Sequence, residues 1–157
     1  MALTYSIHHA DRLVVAVVGG AFVRREVERY LADILATGCG PYAKLFDIVR
    51  AANPLDSEDM RALGSRIRIL GAIGPMAPLA IVTSTTLRPV AEAFASYATA
   101  PRSIQLFDGE QAARHWLHAT SLHATSLCAG ALKRQPARYC RAFTSPTKNK
   151  PKEQSHD

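Results

Sequence analysis

The apolar positions of the chain change their period several times, and each change marks an element. Leu3-Thr4-Tyr5-Ser6-Ile7-His8 alternates apolar with polar residues, His9-Ala10-Asp11-Arg12 interrupts, and Leu13 to Val18 is a β-branched run closed by Gly19-Gly20. This pattern predicts a hairpin in which a half-exposed edge strand lies beside a central strand buried on both faces. Val23, Val27, Tyr30, Leu31, Ile34 and Leu35 then recur at helical spacing with charged residues between them, which predicts a helix as far as Thr37, stopped by Gly38. Tyr42 to Ile48 has strand length and closes on an acid, Asp47, before a loop through Asn53-Pro54. Asp56 or Ser57 can cap a second helix with Met60, Leu63, Ile67 and Leu70 on one face, ended by Gly71 and Gly74-Pro75.

Leu79 to Val82 reads as a buried strand leading into Ser84-Thr85-Thr86, and Val90, Ala91, Phe94, Ala95 and Ala98 mark a third helix after Pro89. Ile104 to Phe107 is the last strand. Asp108, with Gln111 in the reciprocal position, caps a fourth helix carrying Ala112, Ala113, Trp116 and Leu117. Strands alternating with helices after an opening hairpin give an α/β fold: a single mixed, mostly parallel sheet with about four helices, joined by right-handed crossovers. In such sheets ligands and partners collect at the carboxyl ends of the strands. Here that edge holds Gly19-Gly20, Asp47 through Ser57, Ser84-Thr85-Thr86 and Asp108.

The composition fits one domain: 157 residues, 48% hydrophobic and 20% charged. No apolar run reaches the roughly 18 residues of a membrane span, and the opening residues do not read as a secretory signal, so a cytoplasmic protein is expected. Cys39, Cys128 and Cys140 show no paired spacing and are read as reduced thiols. The net charge of +6 is unevenly placed, since residues 1–117 carry 12 Lys and Arg against 11 Asp and Glu. Lys44 is the one lysine among them. Residues 118–157 carry 7 basic residues against 2 acidic ones. They open with the repeat His118-Ala119-Thr120-Ser121-Leu122, His123-Ala124-Thr125-Ser126-Leu127 and end in a Pro/Lys/Ser-rich stretch. The expected organisation is a folded domain over 1–117 and a basic, largely disordered tail over 118–157. A near-neutral body lacks the basic stripe of a sequence-specific nucleic-acid binder.

The candidate chemistry is sparse. Ser84 and Thr85 before a helix suit an anion or a transferred phosphoryl group, although a helix start selects such residues as caps in any case. Asp47 fits a phosphoacceptor or metal ligand less well than a carboxylate that organises the backbone around it. A phosphoryl receiver needs further acids after its first parallel strand and a lysine at its last, and Val18-Gly19-Gly20-Ala21 and Asp108-Gly109 supply neither. Gly19-Gly20 is no nucleotide loop, and its use is to let the backbone turn from strand to helix. His115, His118, His123 and Cys128 lack the spacing of a zinc site. Cys39 has no base near it in sequence. No cofactor is implied.

The opening hairpin, the strand Lys44-Leu45-Phe46-Asp47, the Asp56-Ser57 helix start and the following strand–helix pairs resemble the STAS superfamily of anti-sigma-factor antagonists, in its divergent SpoIIAA-like branch, over about residues 3–117. The resemblance implies a mixed sheet with helices grouped on one side. It also implies a non-enzymatic regulatory module that docks on a protein partner. In the family a Ser or Thr at the start of the second helix is often phosphorylated. Here Asp56-Ser57 is kept, but Glu58 stands at the position of the phosphorylated hydroxyl and Asp59 at that of the following Gly, so docking without this switch is expected. The candidate docking residues are Asp47, Asp56, Ser57, Glu58, Asp59 and Arg61, and the weaker anion or phosphoacceptor candidates are Ser57, Ser84 and Thr85. A homodimer is one form such a partnership takes. The alternative is a small-molecule or lipid-binding domain, as in the related Sec14-like proteins, with a pocket bearing Met60, Phe94 and Trp116. An enzyme using Asp47, Ser84 or Cys39 ranks last, because no nucleophile and base are paired.

Overall fold

The period-two runs form one five-stranded sheet in the order β1-β2-β3-β4-β5, comprising β1 (Leu3–His8), β2 (Leu13–Ala21), β3 (Ala43–Ala52), β4 (Leu79–Val82) and β5 (Ile104–Phe107). The coordinates are a computed structural model that describes residues 2–52, 55–74, 76–98 and 102–129. β1 is antiparallel to β2, and β2 through β5 are parallel. Phe46 pairs with Ile81 and Asp47 with Val82, so the two central strands lie side by side and run the same way.

Strand order equals chain order, and this decides where the helices go. Each right-handed crossover between neighbouring parallel strands added in one direction lands on the same face. α1 (Arg24–Ala36), α2 (Ser57–Ile73) and α3 (Arg88–Tyr97) accordingly share one core, built on Val14, Ala16 and Val18 of β2, Ile48 of β3 and Ile81 of β4. α4 (Glu110–Ala129) follows the last strand and covers the opposite face, where Ala113 and Leu117 pack on Leu13, Val15, Leu45, Ala80 and Val82. The grouping expected on one side thus holds for three helices, with the fourth opposite. Trp116 belongs with α4 and lies 5.6 Å from the Phe107 ring, so it is not part of any pocket shared by Met60 and Phe94, contrary to expectation.

Several boundaries move. β3 does not stop near Asp47 but continues to Ala52, paired with β2 alone, and the register shifts between Val17 and Gly19 opposite Asp47 and Arg50. The shift is a bulge, and Asp47 Oδ1 stabilises it by accepting the Val49 N–H at 2.9 Å. Asp56 caps α2, accepting the Asp59 N–H at 2.8 Å. Gly71 does not end that helix. The α3 cap is Leu87, with no side-chain hydrogen bond, so the hydroxyls of Ser84, Thr85 and Thr86 do not cap it. Asp108 likewise does not act as the expected cap but pairs with Arg88. α4 passes Leu117 and carries the tandem repeat in helical form to Ala129, while residues 130–157, where disorder is expected, lie outside the described residues.

α1 ends at Gly38, whose φ of +71° suits a glycine, with the Gly38 N–H bonded to the Leu35 carbonyl and the Cys39 N–H to the Ile34 carbonyl. This paired closure buries Cys39 at 1% exposure against the core, which gives the thiol a packing role. Gly64 in α2 meets α3 so closely that an added Cβ would lie 2.7 Å from the Tyr97 carbonyl oxygen. Gly64→Ala is expected to lower stability by about 1–2 kcal/mol despite the better helix propensity of alanine, because the backbone of α3 must give way. Thermal or urea denaturation checks this, and an unchanged or raised stability would show that α2 and α3 are not in backbone contact.

Candidate functional site

The side chains of β3 alternate between the two cores. Leu45 goes to the α4 side, and Phe46 and Ile48 go to the side of α1–α3. Lys44 shares their face, and this places an ammonium group in an apolar layer. Between the sheet and α1–α3 the packing leaves a cavity of about 50 Å³, whose walls include Phe22, Tyr30, Phe46, Met60 and Phe94 and whose polar groups come from Lys44, Arg102 and Tyr30. Aromatic rings line it in series, Tyr30 lying 5.8 Å and Phe22 6.0 Å from Phe46. From Lys44 to Ile48 it extends along β3 for roughly 13 Å at the strand rise per residue, so it is long and narrow.

Three polar groups meet in this cavity, and their environments are unusual. Lys44 is 5% exposed, and its Nζ donates to the carbonyls of Gly40 at 2.7 Å and Tyr42 at 2.8 Å. Desolvation, reinforced by the positive charge of Arg102, pushes its pKa down to about 8. Arg102 precedes β5, and burial pushes its guanidinium down to about 10. The Nε of Arg102 and the hydroxyl of Tyr30 are buried with no hydrogen-bond partner. Burial raises the Tyr30 pKa, so the phenol keeps its proton, and the charge of Arg102 acts on it as well as on Lys44. All three residues line the same cavity. No carboxylate lines the cavity among the described residues. A buried donor without an acceptor costs about 1–3 kcal/mol, and the Arg102 and Tyr30 donors in one cavity with the Lys44 ammonium form a cradle for negative charge.

The residues singled out in the sequence lie elsewhere. Asp47 serves the β3 bulge. Asp56 is the α2 cap, and Asp59 pairs with Arg24 of α1 at 3.3 Å. Ser57, Glu58 and Arg61 are exposed at the start of α2, and no hydrogen bond or ion pair holds their side chains among the described residues. Ser84 lies in the turn before α3, where its carbonyl accepts the Leu87 N–H. Asp47 is level with the end of β4, whereas β3 runs five residues further, so the two strands do not end on one common rim. The polar end of the cavity is at the opposite edge, because Lys44 pairs with Leu79 at the amino ends of β3 and β4. One signal for it was present in the sequence: a lone lysine inside an apolar strand.

A search of solved structures places this architecture. A crystal structure of an uncharacterised DUF3478-family protein with a SpoIIAA-like fold, from Shewanella loihica PV-4, is 17% identical to the chain, with a TM-score of 0.53 over 74% of this chain and 93% of that one. The chain has a SpoIIAA-like fold. No protein-family model matches the sequence, and no curated protein matches it. Within the SpoIIAA-like sheet the cavity occupies the side covered by α1–α3.

Lys44 binds its proton more weakly in the folded protein than in the unfolded chain, whose lysine titrates near 10.5. The unfolded state therefore holds more protons between about pH 8 and 10, and stability rises with pH across that window, by about 2 kcal/mol. Tyr30, with its raised pKa, opposes this only above about pH 10, where an unfolded tyrosine would ionise. Chemical denaturation of Lys44→Met at pH 7.5 and 9.5 is expected to show that part of the rise removed. An identical pH slope in the variant would place the ammonium in solvent.

Proposed function

We propose that this SpoIIAA-like protein is a non-enzymatic binding module that takes a small molecule into the cavity between the sheet and α1–α3. The observation that carries this reading is the conjunction, in one apolar cavity, of Lys44, Arg102 and the unpartnered Tyr30 hydroxyl. A domain that used the space only for packing would fill it with side chains, since interiors are close-packed and unpaired donors are costly. Size selects the ligand. By the same measure a water needs about 10–15 Å³, so a cavity of about 50 Å³ has the room of about three to five waters, which suits a small molecule whose few bonded non-hydrogen atoms lie closer together than waters do.

The non-enzymatic reading is supported by the separation of the reactive candidates. Asp47 is tied to a bulge and Ser84 sits in a turn, and Cys39, although within electrostatic reach of Lys44, is buried at the end of α1 with its thiol donating to the Thr37 carbonyl. The near-neutral charge of residues 1–117 supports a partner other than nucleic acid. No helix among the described residues is long and apolar enough to cross a membrane. A cytoplasmic location remains part of the proposal.

The neutral probe n-butanol is expected to shift the amide resonances of residues lining the cavity, Ile48, Ile81 and Ala91 among them, in a saturable way in a ¹H–¹⁵N titration. Ala91→Leu, folded by circular dichroism, is expected to abolish the effect by filling the space. Shifts that are diffuse or never saturate would retire the cavity as a binding site.

Protein docking through the α2 start is a second reading, favoured by the contrast between Asp56 and Asp59, which serve the fold, and Ser57, Glu58 and Arg61, which do no such work. Reversing the charges, Glu58→Lys with Arg61→Glu, is expected to change stability by less than about 0.5 kcal/mol while removing a bound protein from pull-downs made in the native host. Identical pull-downs from both baits would remove this reading.

A further inference from the structure

We infer that the ligand of this cavity is a short, unbranched aliphatic carboxylate, its carboxyl group held by Lys44, Arg102 and Tyr30 and its hydrocarbon part lying along β3 toward Ile48. The inference rests on the binding reading above and names the chemistry that reading leaves open.

Charge is the first argument. Lys44, which is buried, and Arg102, which is half-buried with its Nε enclosed, face one cavity with no carboxylate from the chain among the described residues, so the lining carries positive charge that no side chain in it balances. Isolated buried charges are expensive, and an anion beside them offsets that cost more fully than water does. Hydrogen bonding is the second. The Arg102 Nε–H and the Tyr30 O–H lack acceptors, and Lys44 uses its Nζ on two carbonyls, which leaves a third N–H. A carboxylate supplies two oxygens with about four acceptor sites, which suits three convergent donors, and charge-assisted bonds of this kind are the stronger class.

Shape and surroundings decide against other anions. Inorganic phosphate is an anion on all sides and would leave most of its oxygens against Phe46, Ile81 and Phe94, where nothing donates to them. An acid with an apolar tail turns charge to one end and carbon to the other. The narrow section along β3 favours an unbranched tail, and the volume limits it to a few carbons.

The test uses the full-length protein in ¹H–¹⁵N titrations with sodium butyrate, n-butanol, sodium phosphate and sodium chloride, the last as an ionic-strength control. Butyrate is expected to give saturable shifts at Tyr30, Lys44 and Arg102 and at the lining residues, with at least about tenfold higher affinity than n-butanol, a ratio that corresponds to one charge-assisted contact. Lys44→Met and Tyr30→Phe are each expected to lower the ratio of butyrate to n-butanol affinity about fivefold or more, n-butanol still binding saturably. The n-butanol arm also shows that each variant keeps a folded cavity. Equal affinity for butyrate and n-butanol would overturn the carboxylate and leave the binding site standing. Saturable phosphate binding with none for butyrate would overturn it in favour of a bare oxyanion. Failure of both butyrate and n-butanol would remove the cavity reading itself.

Discussion

The two faces of β3 govern the rest of the molecule. Strict alternation along this strand sends Phe46 and Ile48 toward α1–α3 and Ala43 and Leu45 toward α4, and both neighbours are held to it by parallel pairing, Phe46 beside Ala16 and Ile81. A shift of one residue in this register would exchange the two cores completely. It would also carry Lys44 from a sealed layer to the face of α4. The bulge held by Asp47 comes after Lys44 and Phe46, so both keep their regular pairing with β2.

A lysine at this position is hard to explain by stability. Its two carbonyl partners recover part of the hydration it loses, but the depressed pKa shows that the balance stays unfavourable for the charged form. Leucine or methionine would fill the same space without desolvating a charge. Arg102 compounds the difficulty by bringing a second cation beside the first. Groups so placed are characteristic of sites that meet something from outside the fold.

Much of the architecture was legible in the residues. The hairpin, the order of elements and the side-by-side strands follow from periods of two and of 3.6 and from a single topological rule. Asp56 as a cap and Gly38 as a stop were read from local chemistry that needs no tertiary context. What escaped depended on neighbours distant in sequence. The extension of β3 past Asp47 is stabilised by β2, and the hydroxyls before α3 lie in a turn instead of at the helix start. Trp116 and Met60 both recur at helical spacing, and only the closure of the chain onto two faces shows that they never meet. The candidate site was harder still, because Lys44, Tyr30 and Arg102 come from three elements and none belongs to a motif. Ligands in parallel sheets usually sit at the carboxyl edge, whereas these groups lie at the amino edge.

The helical layer over the cavity is not uniformly joined. At Gly64 the backbones of α2 and α3 touch without an intervening side chain, so those two helices are locked as one plate. α1 is linked to that plate on the surface by the partly exposed Arg24–Asp59 pair at 3.3 Å, a contact of a kind worth at most about 1 kcal/mol. The α1 side of the layer, where Phe22 and Leu55 reach the interior, thus depends on side-chain packing in the core, whereas the α2–α3 side is fixed backbone to backbone.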